Sequence, residues 1–225
     1  MQTAHAVGFK LGRPHFVTLI RKFLYEQLRT DSDSESTSSA SAPSEVSVAN
    51  LPPFHEKIHV HTSAISTFHA PSDISGVGGM RRERIRAVTS WYNRSPWHDC
   101  AFVQTDSDPT LRGMRGLDIA RIRLFFSFHY DKTFYPCALV HWYSHIGDGP
   151  DENTGMWVVE PDRDPDGSPR EAVIHLECIL RGAHLIGVYG DGLLPCGVTA
   201  DNSLDSFNSY FVNKFIDHHA FEIAF

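Results

Sequence analysis

Residues 117–143 read LDIARIRLFFSFHYDKTFYPCALVHWY, and this stretch decides the fold. Apolar side chains alternate with Arg121 and Arg123 in its first part, which predicts a half-buried strand with one apolar and one charged face. The polar segment Tyr130–Thr133 predicts a hairpin turn into a second apolar run, Tyr135–Tyr143. The stretch therefore predicts two long antiparallel strands joined by a short turn.

Shorter runs of β-branched and aromatic residues recur around this hairpin, with no clear helical period between them. Their arrangement favours a mainly β fold, an antiparallel β-barrel or sandwich with a few short helices, over alternating βαβ units. The loop PDRDPDGSP at residues 161–169 predicts that its two flanking runs form a hairpin-like pair. Ser203 can cap a short helix that carries Phe207 and Phe211. The further predicted strands are Ile58–Val60, Ser66–His69, Cys100–Gln104, Met156–Val159, Ala172–Leu176 and Leu185–Tyr189.

The N-terminal part of the chain divides at a serine-rich tract. Residues 1–30 contain an amphipathic helical pattern after Pro14, in which apolar side chains recur at three- and four-residue steps. Residues 31–53 are mostly Ser, Ala, Asp, Glu and Pro without an aromatic residue, so we expect a disordered linker there. We expect residues 54–98 to form a basic, irregular β segment and residues 99–225 to form the main β domain.

The composition excludes several classes of protein. Of the 225 residues 41% are hydrophobic and 21% are charged, and no apolar run reaches the roughly 18 residues of a membrane span. The start of the chain has no apolar run long enough for a secretory signal, so we expect an intracellular protein without membrane contact. The four cysteines follow no CxxC spacing, which favours reduced, structural thiols.

The charge is distributed unevenly along the chain. Residues 1–116 carry 13 basic and 11 acidic side chains, whereas residues 117–225 carry 7 and 16, which gives net charges of +2 and −9. The acidic half is a poor platform for nucleic acid, because binding of the phosphate backbone depends on Lys and Arg. One local cluster can combine phosphate contacts with base stacking, although a solvated face that pairs with the acidic half is the favoured interpretation. Its residues are Arg81, Arg82, Arg84, Arg86, Arg94 and Trp91.

The densest group of potential metal ligands lies near the C-terminus and consists of Asp217, His218, His219 and Glu222. Imidazole and carboxylate groups bind zinc and manganese, and His218 would share a helical face with Glu222. The spacing differs from the HExxH motif of zinc proteases, and a structural role is the favoured interpretation. A metal-dependent hydrolase that uses these four residues is the alternative.

Six segments of the chain carry a family resemblance: LGRPHFVTLIRKFLYEQL (11–28), APSDISGVGGMRRERIRA (70–87), GMRGLDIARIRLFFSF (113–128), YPCALVHWYSHIGDGPDENTGMWVV (135–159), VIHLECILRGAHLIGVYG (173–190) and YFVNKFIDHHAFEIAF (210–225). Together they closely resemble, in the same order, the C-terminal region of the Plavaka-type transposon proteins of mushroom-forming fungi. The resemblance covers most of the chain outside the serine-rich tract. It implies a transposon origin, DNA transposition and a nuclear location.

The resemblance implies no catalytic residue for this chain. Transposases of this general kind cut DNA with carboxylates that hold two metal ions on a ribonuclease-H-like core, and the sequence has no βαβ succession long enough for such a core. The main β domain also resembles the bromo-adjacent-homology fold of chromatin-interaction modules, a likeness of fold that does not assign a function.

These observations favour a non-catalytic binding module of transposon origin. Its expected partner is a protein or chromatin, or DNA through the basic cluster. No Walker loop, GxSxG elbow or helix-opening GxGxxG motif is present, so we expect no cofactor and no catalytic set. A decayed transposon fragment without activity is a further alternative.

Overall fold

Antiparallel strands dominate the molecule, as the sequence predicts. The computed structural model describes residues 1–33, 48–72, 76–91, 95–105, 113–189 and 196–225, so residues 34–47 of the expected linker lie outside the described residues. The strands are β1 (Gln2–Thr3), β2 (Lys57–His61), β3 (Ser63–His69), β4 (Met80–Val88), β5 (Trp97–His98), β6 (Cys100–Gln104), β7 (Leu117–Tyr130), β8 (Thr133–His145), β9 (Val158–Pro161), β10 (Glu171–His175), β11 (Ile179–Ala183), β12 (Leu185–Gly187) and β13 (Tyr210–Val212). The α-helices are α1 (Ala4–Lys10), α2 (Phe16–Asp33) and α3 (His218–Ile223). Within the described ranges, no helix combines the length and the apolar character that crossing a membrane requires.

The central feature of the fold is the hairpin of β7 and β8, which confirms the predicted pair of long strands. The pairing ends at Tyr130 opposite Thr133. The two turn residues, Asp131 and Lys132, have positive φ angles of 46° and 67°. A two-residue turn with both φ angles positive has the twist of the strands that it joins, so the turn and the hairpin support each other.

Each long strand of this hairpin pairs with two shorter strands on its outer edge. β6 and β2 lie along β7, whereas β9 and β10 lie along β8. β11 extends the sheet beyond β6, β1 extends it beyond β2, and β13 followed by β12 extends it beyond β9. The sheet therefore splays at both ends of the hairpin and curls into a half-barrel.

The two runs that flank the loop at residues 161–169 do not pair with each other, so the predicted second hairpin is wrong. β9 pairs with residues 143–145 of β8, and β10 pairs with residues 137–141 of the same strand. The backbone N–H of Arg170 donates to the carbonyl of Asp162 at 3.0 Å and closes the loop at its base. β9 and β10 are therefore two parts of one interrupted strand, from which the loop projects.

Helix α2 packs on one face of the hairpin through its apolar stripe. Phe16, Ile20 and Leu24 are fully buried, at the four-residue steps expected for one face of a helix. The ring of Phe16 meets the ring of Phe126 of β7 edge to face, with the centroids 5.2 Å apart. The N-terminal helix is therefore part of the main hydrophobic core.

A small sheet of three strands covers the opposite face of the hairpin. β4 pairs with β3 on one edge and with β5 on the other. Ile85 of β4 packs in a core with Ile122 and Phe125 of β7, whereas Leu124 and Phe126 belong to the core of α2. Because adjacent side chains of a strand point to opposite faces, the small sheet and α2 lie on opposite sides of the hairpin.

The predicted charged face of β7 is wrong, because both faces of this strand are covered. Arg121 is only 6% exposed, and its guanidinium contacts both carboxylate oxygens of Asp205 at 2.6 and 3.1 Å. Arg123 is half-buried, and its pKa is lowered, first by burial and then by repulsion from Arg121 and Arg13. Alternation of apolar residues and arginines therefore does not mark a solvent-exposed face here, since a carboxylate from a distant segment neutralises Arg121.

The helix predicted after Ser203 is wrong beyond its first turn. Ser203–Asp205 form a single 3-10 turn, and Phe211 lies in strand β13. β13 pairs with β9 on one edge and with β12 on the other, and Tyr210 is 1% exposed. Backbone pairing on both edges and burial of Tyr210 outweigh the weak local preference for a helix.

Truncation of Phe16 tests whether α2 belongs to the core. Phe16→Ala removes a buried ring and leaves a cavity, so we expect the free energy of unfolding to fall by about 3–5 kcal/mol. The matched control is Phe9→Ala in α1, because the side chain of Phe9 is 85% exposed, and we expect a change below about 0.5 kcal/mol. Urea denaturation of the full chain measures both effects, and two equally small values would contradict the docking of α2.

Candidate nucleic-acid interface

Four arginines of the basic cluster lie in strand β4, where successive side chains point to opposite faces. Arg82, Arg84 and Arg86 lie on the outer face of the small sheet. Arg81 and Glu83 share the inner face with the buried side chains that contact the main sheet. The cluster that the sequence predicts as one group is therefore divided between two faces.

On the outer face of the small sheet, the residues of β3 that pair with these three arginines are uncharged. Successive outer arginines are about 6.8 Å apart along the strand, which is the rise of two residues. Arg84 Nη1 donates a hydrogen bond to Ser63 Oγ at 3.1 Å. The neighbours on β3 therefore do not neutralise the positive charge of the row, whereas on the other edge of β4 the carboxylate of Asp99 lies beside Arg86. The cross-strand pairs are Arg82 with Thr67, Arg84 with Ile65 and Arg86 with Ser63.

Two tryptophans lie at the end of this row. The guanidinium of Arg86 lies 5.1 Å from the centre of the Trp91 ring, and the rings of Trp91 and Trp97 are 6.1 Å apart. The carboxylate of Asp99 accepts hydrogen bonds from Trp97 Nε1 at 2.5 Å and from the backbone N–H of Arg86 at 2.7 Å, and so orders this end of the surface.

Arg94, which the sequence also indicates as part of the basic cluster, lies outside the described residues. We call the surface formed by Arg82, Arg84, Arg86, Trp91 and Trp97 the basic face.

A cavity of about 260 Å³ lies beside Trp97. Its wall is formed by residues 96–100, residue 121, residues 183–185, and residues 200, 201, 203 and 204 of a fourth segment. These four parts of the chain are far apart in the sequence, and no motif or spacing indicates that they meet. The cavity is therefore a feature that sequence reasoning missed.

Two ionisable groups in the wall of this cavity are uncharged at neutral pH. Burial, followed by repulsion from Arg123 and Arg121, lowers the pKa of His98 to about 4. Burial also raises the pKa of the Cys100 thiol to about 12. The His98 ring is therefore neutral and the Cys100 thiol keeps its proton at pH 7.

Asp217, the first of the residues indicated as metal ligands, is bound by Arg181, which no sequence motif indicates. Arg181 is 3% exposed and donates to both carboxylate oxygens of Asp217, at 2.8 and 2.6 Å. Asp217 Oδ1 also accepts the backbone N–H of Ala220 at 2.7 Å, so the carboxylate caps α3. The hydrogen bonds from Arg181 are the main reason why the pKa of Asp217 lies at about 2.

The other residues of this group point in different directions. The ring of His219 stacks on the ring of Phe68 at 4.6 Å, and its Nδ1 lies 3.2 Å from Arg181 Nη1. His218 is exposed, with its Nδ1 3.0 Å from the carboxylate of Glu222. Among the residues that the structure describes, no three His, Cys, Asp or Glu side chains are grouped so that they could hold a metal ion. The observed contacts of Asp217 and His219 connect α3 to the sheets.

Asp217→Ala tests the ion pair with Arg181. The variant leaves a buried guanidinium without its main partner, so we expect the free energy of unfolding at pH 7 to fall by about 3 kcal/mol. The folded pKa of about 2 lies below the unfolded value of about 4. The wild type therefore has this stabilisation in full above about pH 4 and loses it as the pH falls toward about 2.

Urea denaturation of the wild type and the variant, from neutral pH to about pH 3, measures this difference. The difference in unfolding free energy between the wild type and Asp217→Ala should become smaller as the pH falls. Asp148→Ala is the control, because the side chain of Asp148 is exposed, and we expect little effect at either pH. A gap that stays constant in acid would show that the Asp217 carboxylate does not stabilise the fold through its charge.

Comparison with models of known protein families, with curated proteins and with solved structures finds no match to this chain. The resemblance to Plavaka-type transposon proteins therefore stays a prediction, and the site is interpreted from its geometry.

Proposed function

We propose that this chain is a non-catalytic binding module that binds nucleic acid through the basic face. The observation that carries this proposal is the row of Arg82, Arg84 and Arg86 on one strand face, next to Trp91 and Trp97. Arginine neutralises phosphate groups and tryptophan stacks on bases. Proteins that bind nucleic acid with little sequence preference combine these two kinds of contact.

The negative charge of the rest of the chain favours approach of a nucleic acid to the basic face. The net charge is −7, and residues 117–225 alone carry −9. Acidic surfaces repel phosphates, so the field of the protein directs a nucleic acid toward the basic face. Contacts from arginines to the phosphate backbone carry no sequence information by themselves, and we expect weak discrimination between sequences.

The transposon origin and nuclear location that the family resemblance implies agree with DNA as the ligand, and they are part of this proposal. A protein partner would contact the arginines through carboxylates instead of phosphates, and would pack apolar side chains on Trp91 and Trp97 instead of bases. The hydrolase alternative has less support, because the carboxylate of Asp217 is already bound by Arg181.

Simultaneous reversal of Arg82, Arg84 and Arg86 to Glu should abolish binding of DNA. For the wild type, the logarithm of the binding constant for duplex DNA should fall linearly with the logarithm of the salt concentration. A slope of about −3 is expected if each outer arginine contacts one phosphate. Fluorescence anisotropy of a labelled short duplex, titrated with the full chain over a salt series, measures the affinity and the slope.

The matched control reverses Lys57, Arg115 and Arg163, which are exposed and lie outside the basic face. This triple variant undergoes the same change in net charge and should keep a similar salt slope. Equal loss of binding in both triple variants would contradict the proposal, since it would reflect net charge alone. Absence of binding by the wild type at low salt, or binding that does not depend on salt, would contradict it as well.

A further inference from the structure

We infer that the cavity beside Trp97 receives one unpaired base of the nucleic acid that the basic face binds. This inference rests on the proposed function and defines its ligand more closely, as a strand that carries an unpaired base. Trp97 connects the two sites, because it belongs to the basic face and also lines the cavity. A base that leaves its stack can enter the cavity while the neighbouring phosphates stay on the arginines.

The size and the walls of the cavity suit a small planar ring system. Its volume of about 260 Å³ lies just below the roughly 300–1,000 Å³ of pockets that hold drug-sized ligands. Ala183, Leu185 and Leu204 contribute apolar surface, and Trp97 contributes an aromatic ring. An aromatic ring can stack on any base, since every base has a π-face.

The polar groups of the cavity suit an uncharged ligand better than a phosphate. Since His98 is neutral at pH 7, one of its ring nitrogens donates a hydrogen bond and the other accepts one. In the described part of the chain, no residue is hydrogen-bonded to this ring. The edge of a base presents both donors and acceptors, which matches such a ring. Arg121 attracts phosphate weakly, because Asp205 already neutralises its charge.

A second cavity, of about 210 Å³, borders this site, and its wall includes Glu83 and Arg181 of the inner side. Its wall includes Arg84 and Arg86, and it shares Asp99 and His184 with the wall of the first cavity. The two cavities are therefore neighbours along one surface.

Three short DNA duplexes test this inference, because they fix where the unpaired base lies. The first is fully paired, the second carries one extra unpaired thymine in its middle, and the third carries an abasic nucleotide at that place. The second and third duplexes carry an extra nucleotide at the same place, and they differ only in whether that nucleotide has a base. Fluorescence anisotropy with the full chain should show about tenfold tighter binding of the thymine bulge than of the abasic bulge, the effect of one stacked base.

A substitution at Ala200 tests whether the base occupies this cavity. Ala200 is exposed and lines the cavity, so Ala200→Phe fills the space from a position outside the core. This variant should bind the thymine bulge and the abasic bulge equally, with unchanged affinity for the fully paired duplex. Ala200→Ser is the matched control, because it leaves the volume nearly unchanged, and it should keep the tenfold preference.

The outcomes separate this inference from the proposed function. If the wild type binds both bulges equally, or if Ala200→Phe keeps the preference for thymine, the inference is overturned. Salt-dependent binding of the fully paired duplex would then still support the basic face. If none of the duplexes binds at low salt, the proposed function is overturned, and the inference that rests on it is overturned too.

Discussion

One buried guanidinium organises the part of the fold that carries the basic face. Arg181 of β11 pairs with Asp217 at the start of α3, and its Nε lies 3.5 Å from the carboxylate of Glu83 of β4. The guanidinium also lies 4.7 Å from the centre of the Phe68 ring of β3. A buried charge that loses its partner destabilises a protein by several kcal/mol. The main sheet, the small sheet and the C-terminal helix therefore all contact this one residue.

This constraint decides which side chains of β4 reach the surface. Glu83 must point inward to approach Arg181, and its carboxylate also accepts the backbone N–H of Gly182 at 3.1 Å. Because the side chains of a strand alternate, Arg82 and Arg84 must then point outward. A shift of the strand by one residue would expose Glu83 and turn these arginines toward the core. The surface proposed to bind phosphates thus depends on an ion pair on the other side of the same strand.

The sequence predicts the elements whose signal is local and misses those that depend on distant residues. The β7–β8 hairpin is predicted because its alternation and its turn lie in one continuous stretch. Burial of Arg121 is not predictable in this way, since its partner Asp205 lies 84 positions further along the chain. The arginines of β4 are evident in the sequence, but their division between two faces depends on contact of Glu83 with Arg181. The cavity beside Trp97 is built from four separated segments and leaves no sequence signal.

Burial of His98 and Cys100 determines which reactions are possible in the cavity beside Trp97. His98 and Cys100 both line it, and an imidazole near a thiol can act as a nucleophilic pair when the thiol loses its proton. Such a pair requires a lowered thiol pKa, which nearby positive charge produces. In this protein the pKa of Cys100 is raised to about 12 and that of His98 is lowered to about 4, with burial as the largest cause of both shifts. Since His98 and Cys100 stay neutral, the cavity offers no thiolate nucleophile, and its partly apolar wall is better suited to binding an uncharged planar group.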